Sequence, residues 1–127
     1  MKKMILICHA FFEKKFKMNK ELQEEIEKLI NIYNLNCNID EFENKVDWKN
    51  ISEYQVLSEA FIEKFSDKVD WRYISRYQKL SEEFIEKHSN KVIWYYISCY
   101  QKLSESFIEK FLDKVIWYYI SRYQKLS

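Results

Sequence analysis

The sequence predicts an all-α protein: a short α-solenoid of helix–turn–helix repeats of 23 residues with an N-terminal capping helix. Three observations carry this. Tryptophan recurs at Trp48, Trp71, Trp94 and Trp117, always 23 residues apart. Around it, Val46/69/92/115, Ile51/74/97/120, Ser52/75/98/121, Tyr54/77/100/123, Gln55/78/101/124 and Leu57/80/103/126 keep the same step, a regularity that identifies a repeat array. Within a unit, the repeated residues fall at helical spacing on two short segments.

The first segment, Met1–Lys20, holds six lysines and one glutamate. Its opening "MKKMILICHAFFEKKFK" imitates a signal peptide but lacks a small-residue cleavage site and turns charged at once. Next, "NKELQEEIEKLINIY" reads as an amphipathic helix with Leu22, Ile26, Leu29 and Tyr33 on one stripe and Asn19 as N-cap. Its expected role is to cover the first repeat, because end repeats need a cover. Residues 1–38 therefore form an N-terminal basic segment and capping helix, and 39–127 the array, within one structural domain overall.

The array begins with a degenerate unit, since Ile39, Phe42 and Val46 lie 23 residues before Ile62, Phe65 and Val69. Three full units and a partial fourth follow. On the first helix of a unit, Trp71, Ile74, Ser75 and Gln78 share a face, and on the second, Ser81, Phe84, Ile85 and His88 do so. Ser81 is a good N-cap, with Leu80 and Ile85 at the hydrophobic-staple positions. Asp47 and Asp70 are candidate caps of the first helix, but Ile93 and Ile116 stand there in later copies. Helices of two or three turns are marginal alone and gain stability by stacking. The competing reading makes "VIWYYIS" a strand, as in leucine-rich repeats of similar period. The equivalent "VDWKNIS" is a poor strand, and the helical spacing holds in every copy.

The motif W-x-x-I-S-x-Y-Q-x-L-S-E-x-F-I, written in "DWRYISRYQKLSEEFIEKH", resembles the short tandem helical repeats of uncharacterised proteins from amoeba-infecting giant DNA viruses. The resemblance spans about Ile39–Ser127. It implies a viral protein acting inside an infected cell through protein contacts, and it transfers no catalytic residue.

Composition excludes several functions. Glycine and proline are absent, so turns fall to Asn, Asp and Ser, and neither a P-loop nor a dinucleotide-binding loop can be built. Net charge is +1, from 21 basic and 20 acidic residues, which gives no general attraction to nucleic acid or anionic membrane. No apolar run approaches the ~20 residues of a membrane span. Cys8, Cys37 and Cys99 are widely spaced and odd in number, which fits a reducing cytoplasm and no disulfide framework. His9 beside Cys8 is too little for a metal site. No base stands near a repeated serine, and no carboxylate pair is singled out, so no enzyme, cofactor or metal is expected. Ser52/75/98/121 and Gln55/78/101/124 read as structural, bonding backbone groups as the units stack. His88 takes the place of Phe65 and Phe111 and is expected to be half-buried. Cys99 is expected to be exposed.

The informative positions are those that change. Lys49/Glu53, Arg72/Arg76, Tyr95/Cys99 and Tyr118/Arg122 lie one turn apart, opposite the tryptophan face. A constant core with a changing stripe is how solenoids host recognition, and Tyr and Arg are favoured hot-spot residues. The expected partner-binding residues are thus Lys49, Glu53, Arg72, Arg76, Tyr95, Tyr118 and Arg122, with Tyr96 and Tyr119 packing between units. Trp117, Ile120 and Leu126 form an expected self-association edge, where a homodimer is one outcome. The expected function is a non-enzymatic protein–protein interaction module; the alternatives are a single-stranded RNA-binding helical repeat protein and a self-assembling structural protein.

Overall fold

The computed structural model describes residues 18–124, which contain nine helices and no strand. They form two compact units that part between Val46 and Asp47. "VIWYYIS" is helical in both copies, so the strand alternative falls.

The N-terminal unit holds α1 (Lys20–Ile32) and α2 (Ile39–Lys45), which pack together. Leu22, Ile26 and Leu29 are buried, as the stripe predicts, whereas Tyr33 is half-exposed at the C-cap. Asn19 is the N-cap, its side chain accepting from the Glu21 N–H at 2.9 Å. The helix ends with Asn34 at φ 50°, the left-handed conformation usually given to glycine. The Leu35 N–H bonds to the Ile30 carbonyl at 2.9 Å and that of Asn34 to Asn31 at 3.2 Å. This paired closure is a Schellman motif, and in a chain without glycine asparagine supplies it at the lowest steric cost. Phe42 of α2, the core residue of the degenerate repeat, is fully buried.

The second unit is the solenoid. Its first helices are α3 (Trp48–Tyr54), α5 (Trp71–Tyr77), α7 (Trp94–Tyr100) and α9 (Trp117–Tyr123). Its second helices are α4 (Glu59–Lys64), α6 (Glu82–Lys87) and α8 (Glu105–Lys110). Each is two turns or less, so each depends on its caps and neighbours. Ser58, Ser81 and Ser104 cap the second helices, accepting from Phe61, Phe84 and Phe107 N–H at 3.1, 3.2 and 3.1 Å. Asp47 and Asp70 cap α3 and α5, while Ile93 and Ile116 provide no side-chain cap.

The core follows the repeat. Ile51, Ile74, Ile97 and Ile120 are fully buried, and Phe61, Ile62, Phe84, Ile85, Phe107 and Ile108 are buried with them. Burying one such side chain is worth roughly 1.5–3 kcal/mol. Trp48, Trp71 and Trp94 close the gap to the second helix of their own unit. Trp71, for example, lies 6.2 Å from Phe84 and 5.4 Å from His88, centroid to centroid. The indole N–H donors of Trp71 and Trp94 reach the carbonyls of Ser66 and Ser89, at 2.9 and 3.0 Å.

First helices of neighbouring units pack directly on one another, α3 on α5, α5 on α7 and α7 on α9. Two polar positions of the repeat, one Gln and one Ser, lock this stack. The Gln78 side chain accepts from the Leu57 N–H at 3.0 Å and donates to the carbonyls of Ser52 and Gln55 at 3.0 and 2.6 Å. Gln101 does the same one unit on, to Leu80, Ser75 and Gln78, and Gln124 to Leu103, Ser98 and Gln101. Each amide thus satisfies C-terminal carbonyls of the preceding first helix, which a helix end leaves orphaned. Conversely, Ser52, Ser75 and Ser98 accept from the backbone N–H of Asp70, Ile93 and Ile116 at 3.1, 2.9 and 3.0 Å, holding the N-cap residue of the next unit. This is the structural role expected of the serine and glutamine ladders, except at Ser121, which is exposed and donates to the Tyr118 carbonyl of its own helix at 3.0 Å.

The row of second helices is bridged by long polar side chains. Glu59 accepts from the Ser81 N–H and hydroxyl at 2.7 and 2.9 Å, and Glu82 treats Ser104 alike at 2.6 and 2.8 Å. Lys87 pairs with Glu63 and Lys110 with Glu86, while Lys91 meets Asp67 at 3.0 Å. Sequence reasoning missed these bridges, although Glu63, Glu86 and Glu109 do recur at the repeat step beside Lys64, Lys87 and Lys110.

Candidate interaction surface

The variable stripe lies on the first helices, on the side away from the buried isoleucines. Lys49, Arg72, Arg76, Tyr95, Tyr118 and Arg122 are exposed; Glu53 is half-buried instead. Cys99, expected in solvent, is also half-buried, and desolvation raises its thiol pKa. Cys99 shares its surroundings with Tyr100 and Tyr123 of the tyrosine layer on this face.

That layer is continuous in α5, α7 and α9. Tyr73 stacks on Tyr77, Tyr96 on Tyr100 and Tyr119 on Tyr123, with centroids 6.1, 6.2 and 6.2 Å apart. These are i, i+4 pairs on one helix face. Tyr95 meets Tyr119 of the next unit edge-on at 4.7 Å, and the Tyr119 hydroxyl donates to that of Tyr95 at 3.1 Å. This hydrogen bond is the main reason the Tyr119 pKa is pushed up to about 12. Tyr96 and Tyr119 therefore do pack in the layer, as their spacing suggests.

Cations rest on the rings. Lys49 Nζ lies 5.5 Å above Tyr73, from the neighbouring unit. Arg76 lies 5.0 Å from Tyr77, 5.9 Å from Tyr96 and 5.2 Å from Tyr100. Arg122 lies 6.0 Å from Tyr118 and 5.8 Å from Tyr123, and donates to the Tyr118 hydroxyl at 3.0 Å. Among the described residues none of Lys49, Arg76 and Arg122 has a carboxylate partner; Arg72 has one in Asp70 at 3.6 Å. Arg72, Tyr73, Arg76 and Tyr96 line a notch of about 80 Å³.

Of the expected self-association edge, Trp117 is 52% exposed, but Ile120 is fully buried and offers no surface. Ile120 faces inward because it holds the repeat's core position, like Ile97. Leu126 lies outside the described residues, as do Cys8, His9 and the signal-like start. Elsewhere, an open cleft of about 650 Å³ in the N-terminal unit is lined by residues including Gln23, Glu27, Ile30, Cys37 and Asp40. Among the described residues no group of three or more His, Cys, Asp or Glu is placed to hold a metal. No described helix is long and apolar enough to cross a membrane.

No protein-family model, curated protein or solved structure matches the chain.

His88 stands apart from the stripe. It is buried against Trp71 and Phe84, more deeply than half-buried, and its Nε2 has no hydrogen-bond partner among the described residues. Burial lowers its pKa, with the charge of Glu63 opposing the shift and those of Lys87 and Lys91 adding to it. The neutral ring thus serves as a substitute phenylalanine.

Proposed function

We propose that this protein is a non-enzymatic interaction module that binds another protein through the tyrosine- and arginine-rich stripe of its first helices. The observation that carries this reading is the contrast within the repeat. Ile, Ser and Gln recur unchanged in the stack, whereas the stripe positions, exposed apart from half-buried Glu53 and Cys99, read Lys49/Glu53, Arg72/Arg76, Tyr95/Cys99 and Tyr118/Arg122. Exposed Tyr95 and Tyr118 supply large contact area at low entropic cost, and arginine supplies directed donors. In this reading, which draws on the sequence resemblance to giant-virus repeat proteins, the module acts in the cytoplasm of an infected host and its partner is a host or viral protein.

The test is affinity capture from host cytosol with the wild-type chain and a Tyr95→Ala/Tyr118→Ala variant, with bound proteins identified and bound RNA quantified. A defined protein retained by the first and lost from the second is the expected result. Equal retention by both overturns the stripe as the binding surface. Self-association, the second reading, draws on exposed Trp117. It predicts a mass above the monomer in light scattering that falls on Trp117→Ala.

A further inference from the structure

We infer that the stripe recognises an acidic, Asp/Glu-rich protein segment, with Arg76 as its anchor. This inference rests on the interaction-module reading and specifies its partner.

The two helix rows treat charge differently. On the second helices Lys87 and Lys110, and Lys91 in the turn that follows, are each matched by a carboxylate of the preceding unit. Lys64 rests on the Phe65 ring instead, and with seven glutamates to three lysines the second helices carry an acidic excess that leaves little attraction for an anion. On the first helices the cations rest on tyrosine rings. Arg76 is held by Tyr77, Tyr96 and Tyr100 and makes no ion pair among the described residues. Ring contacts fix the guanidinium plane without consuming its N–H donors, which remain available for a bidentate carboxylate. Arg72, one turn earlier, brings a second positive charge to the same notch, partly offset by Asp70. A volume of about 80 Å³ accommodates a carboxylate. Beyond the notch, the Tyr95 hydroxyl accepts from Tyr119 and so keeps its own hydrogen for an acceptor on the partner.

The same geometry disfavours a single-stranded nucleic acid. Base recognition of that kind needs free aromatic faces. Here Tyr73, Tyr77, Tyr96, Tyr100, Tyr119 and Tyr123 stack on one another in pairs, and guanidinium groups lie against several of them. A backbone read at one nucleotide per repeat also calls for a cation in every unit. The unit of α7 offers Tyr95 and Cys99 at those positions instead.

The experiment is fluorescence anisotropy at low salt with three labelled probes: a short peptide of alternating Glu and Ser, its Gln/Ser counterpart, and an oligouridylate of equal length. The wild-type chain is expected to bind the Glu probe, to ignore the Gln probe and to release the Glu probe as salt rises. Arg76→Ala should weaken binding about tenfold or more, and Arg76→Lys should recover only part, since lysine cannot form the bidentate pair. Lys87→Ala, which removes the same charge from the other row, should leave affinity within about twofold. Circular dichroism of each variant checks that the fold is kept. Equal loss in Lys87→Ala and Arg76→Ala overturns the site, because attraction would then be bulk charge. No binding of the Glu probe, or tighter Arg76-dependent binding of the oligouridylate, overturns the acidic partner. Neither result touches the capture test with Tyr95→Ala/Tyr118→Ala, whose failure would instead remove the interaction reading itself.

Discussion

Replacing Gln78 tests how the solenoid is held together. Its amide makes three hydrogen bonds to the preceding unit, at 3.0, 3.0 and 2.6 Å, and the residue is 5% exposed. A hydrogen bond contributes about 1 kcal/mol net, and stranding the buried Leu57 N–H adds a penalty of about 1–3 kcal/mol. Gln78→Ala should therefore cost roughly 4 kcal/mol in urea unfolding. Gln124 makes the equivalent bonds to Leu103, Ser98 and Gln101, but all of them are only partly buried. Water can replace what is lost, so Gln124→Ala should cost roughly 1–2 kcal/mol. Gln78→Glu separates hydrogen bonding from packing. The shape is kept, but a carboxylate now faces the Ser52 and Gln55 carbonyl oxygens, to which it cannot donate. The pKa of that new carboxyl is raised in the folded state, so the deficit against wild type should shrink as pH falls into the ordinary carboxylate range and reopen as pH rises. A Gln78→Ala loss below about 1.5 kcal/mol, or a Gln78→Glu deficit independent of pH, would refute the clamp.

Other perturbations have their own expected outcomes. Trp71→Ala removes a half-buried indole and its bond to Ser66, and should cost about 2–3 kcal/mol by chemical denaturation. His88 resists protonation when folded, so the unfolded chain binds more protons near the ordinary histidine pKa, and stability should fall as pH drops through and below about 6.5. Melting curves of His88→Phe should lose that component of the acid sensitivity; an identical pH slope in the variant would show that His88 is not its source. Arg72→Ala should shift stability by about 0.5 kcal/mol or less, and Arg76→Ala, which gives up contacts with three tyrosine rings, by about 1 kcal/mol, whatever they do to binding. Lys110→Ala breaks a solvent-exposed pair with Glu86 and should cost no more than about 1 kcal/mol, decreasing further in high salt.

How much of this was legible beforehand depended on range. Asn19 and Ser81 were recognisable as caps because a cap acts on a backbone N–H two or three residues away. The failure of Ile93 and Ile116 to cap was equally local. The exposed stripe was legible because helical periodicity assigns opposite faces once one face is apolar. Glu53 and Cys99 were misjudged because periodicity sees only their own helix. The candidate edge failed at Ile120 for the related reason that a core position in the repeat remains one in its fourth copy.

The residue series alone thus determined the period, the helical class, the cap chemistry and the division into constant and changing faces. All four follow from interactions within a few residues of one another, repeated in register. Tertiary structure alone decided what the polar series do: that Gln78 reaches back to Ser52, that Ser75 holds the Ile93 N–H, that Lys87 is neutralised by Glu63 while Arg76 lies on tyrosines. These contacts join residues 18 to 26 positions apart, from one unit to the next. Such pairings exist only once units stack, because the free energy of a buried hydrogen bond or an oriented guanidinium depends on which surfaces exclude water around it.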